Sequence, residues 1–514
     1  MEGKNSINKV TAGSLLITLG IIYGDIGTSP LYVMKAIFGD APIETNLVLG
    51  AVSCVFWTLT IQTSIKYVWL TLQADNNGEG GIFSLYTLVK KLKKRWLLIP
   101  AIIGGSAMLA DGFITPPISI SSALEGLKIY YPDLQTIPFV IGIILILFFF
   151  QSYGTKTIGK FFGPIMFIWF SMLAVTGILQ IIKIPEILKA LNPYYGYLLL
   201  TQHPEGFYVL GFVFLCTTGA EALYSDLGHC GIKNIRASWM FVKITLVLNY
   251  FGQGAFLLSH QNLHLKTLLN GTEFIQNPFY LMMPQWFIPI GIVVATMAAV
   301  IAAQALITGS FTMINEAMRL NLWPRVLVKY PSIIKGQLYI PSTNWILCIG
   351  CILVVIYFKE SSNMEAAYGL AIIMCMMATS ILLTFYMVLK RFNKFIITTF
   401  VLVYSVIEVS FFIANIDKFS HGGYVSLLVA VLIAGVMSFW FLGKQIRKNY
   451  TEFVKLKDYV DVIEDLSNDD SIPQYSTNLI YLTNAQNKNE IESKVLYSIL
   501  YKRPKRANIY WMLH

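Results

Sequence analysis

Two carboxylates stand inside apolar segments of this chain. Asp25 lies in Gly24-Asp25-Ile26-Gly27-Thr28-Ser29-Pro30, and Glu221 in Thr217-Thr218-Gly219-Ala220-Glu221-Ala222-Leu223-Tyr224-Ser225-Asp226. A carboxylate at membrane depth is costly unless it is paired or hydrated. Around Asp25, Gly24 and Gly27 loosen a helix and Pro30 cannot donate to it. The carbonyls so freed need partners that lipid cannot supply, and a bound cation would supply one. Asp25, Thr28, Ser29 and Tyr32 offer carboxylate and hydroxyl oxygens within about two turns, a donor set suited to a desolvated alkali cation. The plainer reading is a kinked helix in which Asp25 caps one half. Thr218 and Glu221 are three apart and share a helix face. Removal from water favours the neutral form of a carboxyl, so Glu221 is a candidate proton-carrying coupling group. The plainer reading there is a structural carboxylate bonded to unwound backbone.

A third segment runs from Asp111 to Gly126. Thr115, Ser119 and Ser122 recur at i, i+4 and i+7, a hydroxyl stripe that suits a polar site and equally suits helix packing. Glu125 closes the segment near the outer end of its helix, as a gate residue or an interfacial acid. Asp75-Asn76-Asn77-Gly78-Glu79-Gly80-Gly81 lacks EF-hand spacing and is read as a cytoplasmic turn before a helix. Gln304, Thr308 and Ser310 could line a pathway but are read first as packing; Tyr368 is the better pathway candidate. His260, His264 and His421 fall at span ends and receive no role. Asn270-Gly271-Thr272 is a glycosylation sequon on an outer loop.

The elements that must position these groups are membrane helices. The chain has 514 residues, 55% hydrophobic and 13% charged, whereas soluble domains carry about 25% charged residues. Apolar runs recur along it, among them Ile137–Phe150, Phe161–Ile182, Ile288–Gly309 and Gly369–Leu389, each near the length that crosses a core of roughly 30 Å. They predict about twelve spans. The first lacks a small-residue cleavage site and holds Asp25 and Pro30, so it is read as a true span and not a signal peptide. Five cysteines lie in apolar runs and Cys230 in a basic loop, which argues against a disulfide framework. The CxxC at Cys348 and Cys351 has no third ligand nearby and is read as packing.

The net charge of +10 follows topology rather than nucleic acid. With the N-terminus inside, the inner loops hold Lys90, Lys91, Lys93, Lys94, Arg95, Lys156, Lys160, Lys233, Arg236, Arg319, Arg325, Lys329, Lys335, Lys390, Arg391 and Lys394. The outer loops hold Lys128, Lys183, Lys189, Lys266, Lys359 and Lys418. Sixteen against six is the positive-inside bias, with both termini cytoplasmic in the plasma membrane. Residues 1–443 form the membrane domain. From Lys444 the composition turns charged, and strands at Asn478–Thr483 and Asn508–Leu513 flank a helix over Glu490–Tyr501, the start of a cytoplasmic α/β domain over 444–514 that is expected to continue. The breaks at 24–30 and 217–226 fall five spans apart, the signature of two inverted five-helix halves, with spans 11 and 12 outside the repeat.

Gly20-Ile21-Ile22-Tyr23-Gly24-Asp25-Ile26-Gly27-Thr28-Ser29-Pro30-Leu31-Tyr32 resembles the signature of the KUP/HAK/KT potassium-uptake family. So do Ala74–Gly81, Asp111–Gly126, Thr218–Tyr224 and Gly336-Gln337-Leu338-Tyr339-Ile340-Pro341, in family order. The resemblance implies an all-α membrane protein of twelve spans on the five-plus-five inverted repeat of the amino acid–polyamine–organocation superfamily (LeuT-type), with the α/β tail. It implies proton-coupled potassium import, with no cofactor beyond the transported potassium and proton. It places potassium ligands at Asp25, Tyr32, Thr115, Ser119, Thr218 and Tyr368, the coupling acid at Glu221 and another transport-critical acid at Glu125. It also implies a homodimer in the bilayer, and some bacterial members are inhibited by cyclic di-AMP, for which no site is read here. Ala110 and Pro117 depart from the family's usual Gly and Ala, so the local bend there is expected to differ.

Against this stand a transporter of amino acids or amines, which Asp25 disfavours because a substrate carboxylate wants an acid-free half-helix N-terminus, and a membrane sensor, which needs no buried acid pair. No ATP-binding motif or TVGYG filter is present.

Overall fold

The computed structural model describes residues 10–153, 159–267, 275–330, 338–420, 422–483, 485, 487 and 489–513. The sequon at 270–272, Lys156, Lys335, Gly336, Gln337 and His421 lie outside the described residues.

Thr11 starts the first helix, α1 (Ala12–Ile22), through a capping box: its hydroxyl accepts from the Ser14 amide, and its own amide donates to the Ser14 hydroxyl. α1 stops at Tyr23, and the chain resumes as the short α2 (Gly24–Thr28) and a 3-10 turn at Ser29–Leu31. The two halves are bent by 73°. The bend therefore falls at the front of the glycine-rich motif. The next long helix, α3 (Thr45–Thr58), continues as a π-helical stretch over Leu59–Leu70. A π-helix is rare and usually marks a functional place.

α4 (Leu98–Leu124) has 27 residues and runs through Pro116 and Pro117. At about 1.5 Å per residue it outspans the hydrocarbon core. It packs against α9 (Ile288–Arg319) and α10 (Ser361–Leu389), with α5 (Gly159–Lys183) and α8 (Ile232–Leu258) behind α1. Between α5 and α8 runs α6 (Gly206–Val213), which leads through a 3-10 turn to α7 (Ala220–Ser225). The last two long helices, α11 (Lys394–Ile416) and α12 (Gly423–Asn449), are peripheral: 22% and 17% of their apolar windows are buried, against 72% around α4.

Ten helices among the described residues are long and apolar enough to cross a membrane, eleven if the bent α1–α2 pair is one span. Ile137–Phe150 is apolar but shorter. All six cysteines are free and buried. Cys351 turns its thiol toward the Gly112 carbonyl at 3.6 Å, and no group of three or more His, Cys, Asp or Glu able to hold a metal occurs among the described residues.

The chain divides into two compact units, Met1–Met437 and Ser438–His514. In the second, β1 (Phe453–Lys455) pairs antiparallel with β3 (Glu490–Glu492), and β2 (Gln474–Leu482) pairs parallel with β4 (Arg506–Leu513). Leu466, Ile491, Val495, Leu496 and Ile499 form its core. The helix expected from Glu490 starts at Ser493 instead. Residues 490–492 are drawn into strand by β1, with Phe453 opposite Glu492, Val454 opposite Ile491 and Lys455 opposite Glu490, a distant partner that local periodicity does not reveal.

Candidate functional site

The two breaks meet. Thr218 is extended (ψ 144) and Gly219 is left-handed (φ 85), which ends one helical piece and starts α7. A Cβ on Gly219 would lie 2.7 Å from the Ile26 amide nitrogen and 3.0 Å from Asp25 Cβ. The half-helices are thus in backbone contact, and only glycine fits. Replacement by alanine adds about 1–2 kcal/mol of left-handed strain to that clash. Gly219→Ala is expected to cut tracer uptake at least tenfold at equal membrane abundance, measured as uptake per amount of protein in the membrane.

Asp25 is buried. Its Oδ1 accepts from the Tyr368 hydroxyl at 3.0 Å, and its Oδ2 has no hydrogen-bond partner among the described residues. The Tyr32 ring stands edge-on to that of Tyr368 at 6.1 Å. The Tyr32 hydroxyl is 3.2 Å from Thr218 Oγ1, which is 3.0 Å from Ser29 Oγ. Thr28 Oγ1 donates to the Asp25 carbonyl at 3.0 Å and lies 3.4 Å from Ser119 Oγ. On α4, Thr115 donates to Asp111 Oδ1 at 2.6 Å. The fold thus gathers Asp25, Tyr32, Thr115, Ser119, Thr218 and Tyr368 from α2, its following turn, α4, the second break and α10.

A cavity of about 10 Å³ lies between Asp25, Asp111, Gly219 and Glu221, room for about one water-sized particle. A second of the same size is lined by Asp226 and Ser310, and the two share Met108 and Ala222 as walls.

Three carbonyls around the first break already have donors within the protein. Trp169 Nε1 donates to the Gly27 carbonyl at 2.9 Å, Gln253 Nε2 to that of Pro30 at 3.0 Å, and Asn277 to that of Leu31. Gly24 and Gly27 also serve packing: a Cβ on either would meet Ala302 at 2.6 Å or Phe170 at 2.8 Å.

Glu221 is buried, accepts from the Tyr67 hydroxyl through Oε1, and leaves Oε2 without a hydrogen-bond partner among the described residues. Glu125 is buried and paired. Lys35 Nζ meets its Oε2 at 2.8 Å, while Ser361 donates its hydroxyl at 2.6 Å to Oε2 and its amide at 2.8 Å to Oε1. This ties the end of α4 to the start of α10. Ser122, between Ser119 and Glu125 on α4, is fully buried.

The Asp75–Gly81 turn closes on itself through the Gly78 amide and Asp75 Oδ1, and precedes a helix at Ile82. It docks on α7: Tyr224 donates to the Ala74 carbonyl at 2.8 Å. Gln304 pairs with Gln151, while Thr308 and Ser310 bond carbonyls of their own helix. The sequence reading passed over Asp111, Lys35, Lys66, Tyr67, Ser361 and Glu408. Lys35, Lys66 and Glu408 carried a usable signal, since a charge in an apolar span implies a partner.

A bundle of apolar helices with two touching breaks and three buried acids around a small cavity defines an integral membrane protein built around a polar centre. The pattern of the K+ potassium transporter integral membrane domain matches residues 12–445. The chain belongs to the KUP/HAK/KT potassium-uptake family. It is 63% identical over 507 residues to the probable potassium transport system protein Kup of Flavobacterium psychrophilum, covering 99% of this chain and 77% of that protein. The protein of the same name from Clostridium perfringens is 50% identical over 526 residues, 99% of this chain and 79% of that one. That of Enterococcus faecalis is 48% identical over 524 residues, 98% and 77%.

Proposed function

We propose that this protein imports potassium across the plasma membrane as a proton-coupled symporter working by alternating access. The observation that carries this reading is Asp25: a buried carboxylate with one oxygen unpartnered among the described residues, on a cavity of about one ion's size. Potassium is held there by Asp25, with Tyr32, Thr115, Ser119, Thr218 and Tyr368 supplying neutral oxygens. Neutral donors suit a large, weakly hydrated monovalent cation, which needs its water replaced and its charge balanced once. Asp111, on the same cavity, adds a carboxyl to the set.

Glu221 carries the proton. It lines the cavity from α7 with Oε2 open to accept one, so proton and potassium compete for, or share, a single small volume. The access steps run to opposite sides of the site. The Lys35–Glu125–Ser361 contacts close one side, which the positive-inside bias makes the outer one. In this reading the other side is reached by way of the second cavity, which is lined by Asp226 and Ser310 and shares the walls Met108 and Ala222 with the first. Twelve spans, counting α1–α2 and Ile137–Phe150, and a five-plus-five inverted repeat with α11 and α12 outside it, belong to this reading. Both termini are cytoplasmic, and the working form is a homodimer.

The test is rescue. In cells lacking potassium uptake, the full chain restores growth at low potassium and takes up rubidium tracer, and uptake rises with an inward proton gradient. With Glu221→Gln, uptake no longer responds to that gradient. Absence of rescue by the unaltered chain at normal membrane abundance refutes potassium import; an unchanged gradient response in Glu221→Gln moves the coupling role elsewhere.

A further inference from the structure

Behind Glu221 lies a second buried ion pair. Lys66 is completely buried in the π-helical stretch after α3, and its ammonium meets Glu408 Oε1 of α11 at 2.6 Å. It also donates to the Met376 carbonyl at 2.9 Å and to the Tyr67 hydroxyl oxygen at 3.3 Å. Ser380 donates to the same Glu408 oxygen at 2.7 Å. Tyr67 donates in turn to Glu221 Oε1. An unbroken chain therefore runs from Glu408 through Lys66 and Tyr67 to Glu221.

Stability does not account for this pair, because buried ion pairs are commonly replaceable by apolar side chains without loss. Hydrogen-bond polarity does. An ammonium can only donate, so Lys66 occupies the acceptor side of the Tyr67 hydroxyl. The tyrosine proton is then directed at Glu221 Oε1, which is fixed as an acceptor. A proton arriving on Glu221 must sit on Oε2, the oxygen without a partner among the described residues. The π-helical winding lets the adjacent Lys66 and Tyr67 both point inward, as their complete burial records.

We propose that the Lys66–Glu408 pair is the positioning element of the Glu221 site, fixing Tyr67 as a donor and setting the pH range over which Glu221 exchanges its proton. This rests on the reading of Glu221 as proton carrier. The groups facing Glu221 are Tyr67 and Lys66, Asp25 and Asp111 across the cavity, Cys375 of α10 and Tyr224 of its own helix, with Glu408 behind Lys66. Among them Lys66 is the one cation, and Glu408 balances it. Removing either charge displaces proton exchange in opposite senses, because a nearby positive charge favours loss of a proton and a negative one its retention.

The experiment is the pH profile of rubidium uptake by the full chain, with KM for rubidium measured at each pH. Lys66→Met is expected to move the midpoint toward alkaline pH by about one unit or more, and Glu408→Gln to move it toward acid pH. The double variant, which leaves no buried charge unpaired, moves it toward alkaline pH by less than Lys66→Met. Lys66→Arg, which keeps the charge, restores the midpoint. Rubidium KM changes less than about threefold throughout, since no potassium ligand is touched. Shifts in the same direction from both single variants, or lower rates at an unmoved midpoint, overturn the proposal. If the single variants fail to reach the membrane, a double variant whose profile superimposes on the unaltered protein overturns it as well. Loss of gradient response in Glu221→Gln alongside unmoved midpoints in the pair variants defeats the positioning role alone; an unaltered response in Glu221→Gln defeats the reading of Glu221 beneath it.

Discussion

Asp25→Asn is expected to lower rubidium uptake by about 100- to 1,000-fold while leaving membrane abundance near that of the unaltered protein. The substitution keeps size, and the amide oxygen still accepts from Tyr368 at Oδ1. What disappears is the negative charge that, in the proposed potassium site, balances a dehydrated cation. Breaking a buried charge pair costs about 3–5 kcal/mol, and each 1.4 kcal/mol is tenfold. Without a cation present, the same change relieves the protein of a buried charge, so thermal stability in potassium-free detergent rises or holds. The opposite signs on stability and transport separate a ligand from a structural cap. Equal loss of both would return Asp25 to the plainer reading of a capping acid. Tracer uptake beside melting temperatures with and without potassium decides it.

The second large effect lies at the Lys35–Glu125 contact. Glu125→Gln removes the carboxylate charge bonded to the Lys35 ammonium, and Lys35→Met leaves Glu125 with Ser361 alone among the partners described above. Each is expected to weaken the closed arrangement by about 3–5 kcal/mol. A two-state closure then shifts toward the open form by two or more decades. The readout is the rate at which a membrane-impermeant thiol reagent, applied from outside, modifies Ser122→Cys. That position is fully buried, one turn below Glu125. Modification is expected to be slow with the pair intact and about 100-fold faster with either member neutralised. A rate that does not change means that the contact is not what seals this side. Uptake is expected to fall in the same variants, because the symport proposed above would leak its gradient once one side cannot close.

How much of this was readable in the residues depends on distance along the chain. The breaks at Asp25 and Glu221 were legible because glycine, proline and acid inside apolar sequence conflict with an unbroken helix. Their contact through Gly219 was not, since a left-handed residue against Ile26 is a tertiary fact. The hydroxyl stripe on α4 was legible as a face, yet Asp111 escaped because it opened a motif and its cavity neighbours lie on other helices. The protein partners of the freed carbonyls escaped for the same reason: Trp169 and Gln253 look like ordinary span residues until α5 and α8 bring them to Gly27 and Pro30. In the tail, Glu490–Glu492 read as helix because its strand partner β1 is too short to announce itself.

The long reach of the polar contacts has a consequence for biosynthesis. Asp25 is bonded to a residue 343 positions later and Lys66 to one 342 later. At about 5–20 residues per second, about 15 to 70 seconds separate the emergence of each charge from that of its partner. Early helices leave the ribosome carrying Asp25 and Lys66 without α10 or α11. The insertion machinery, or neighbouring nascent helices, must shelter these charges until the last third of the membrane domain arrives. Termination before α10 would strand both, so such fragments are natural prey for membrane quality control.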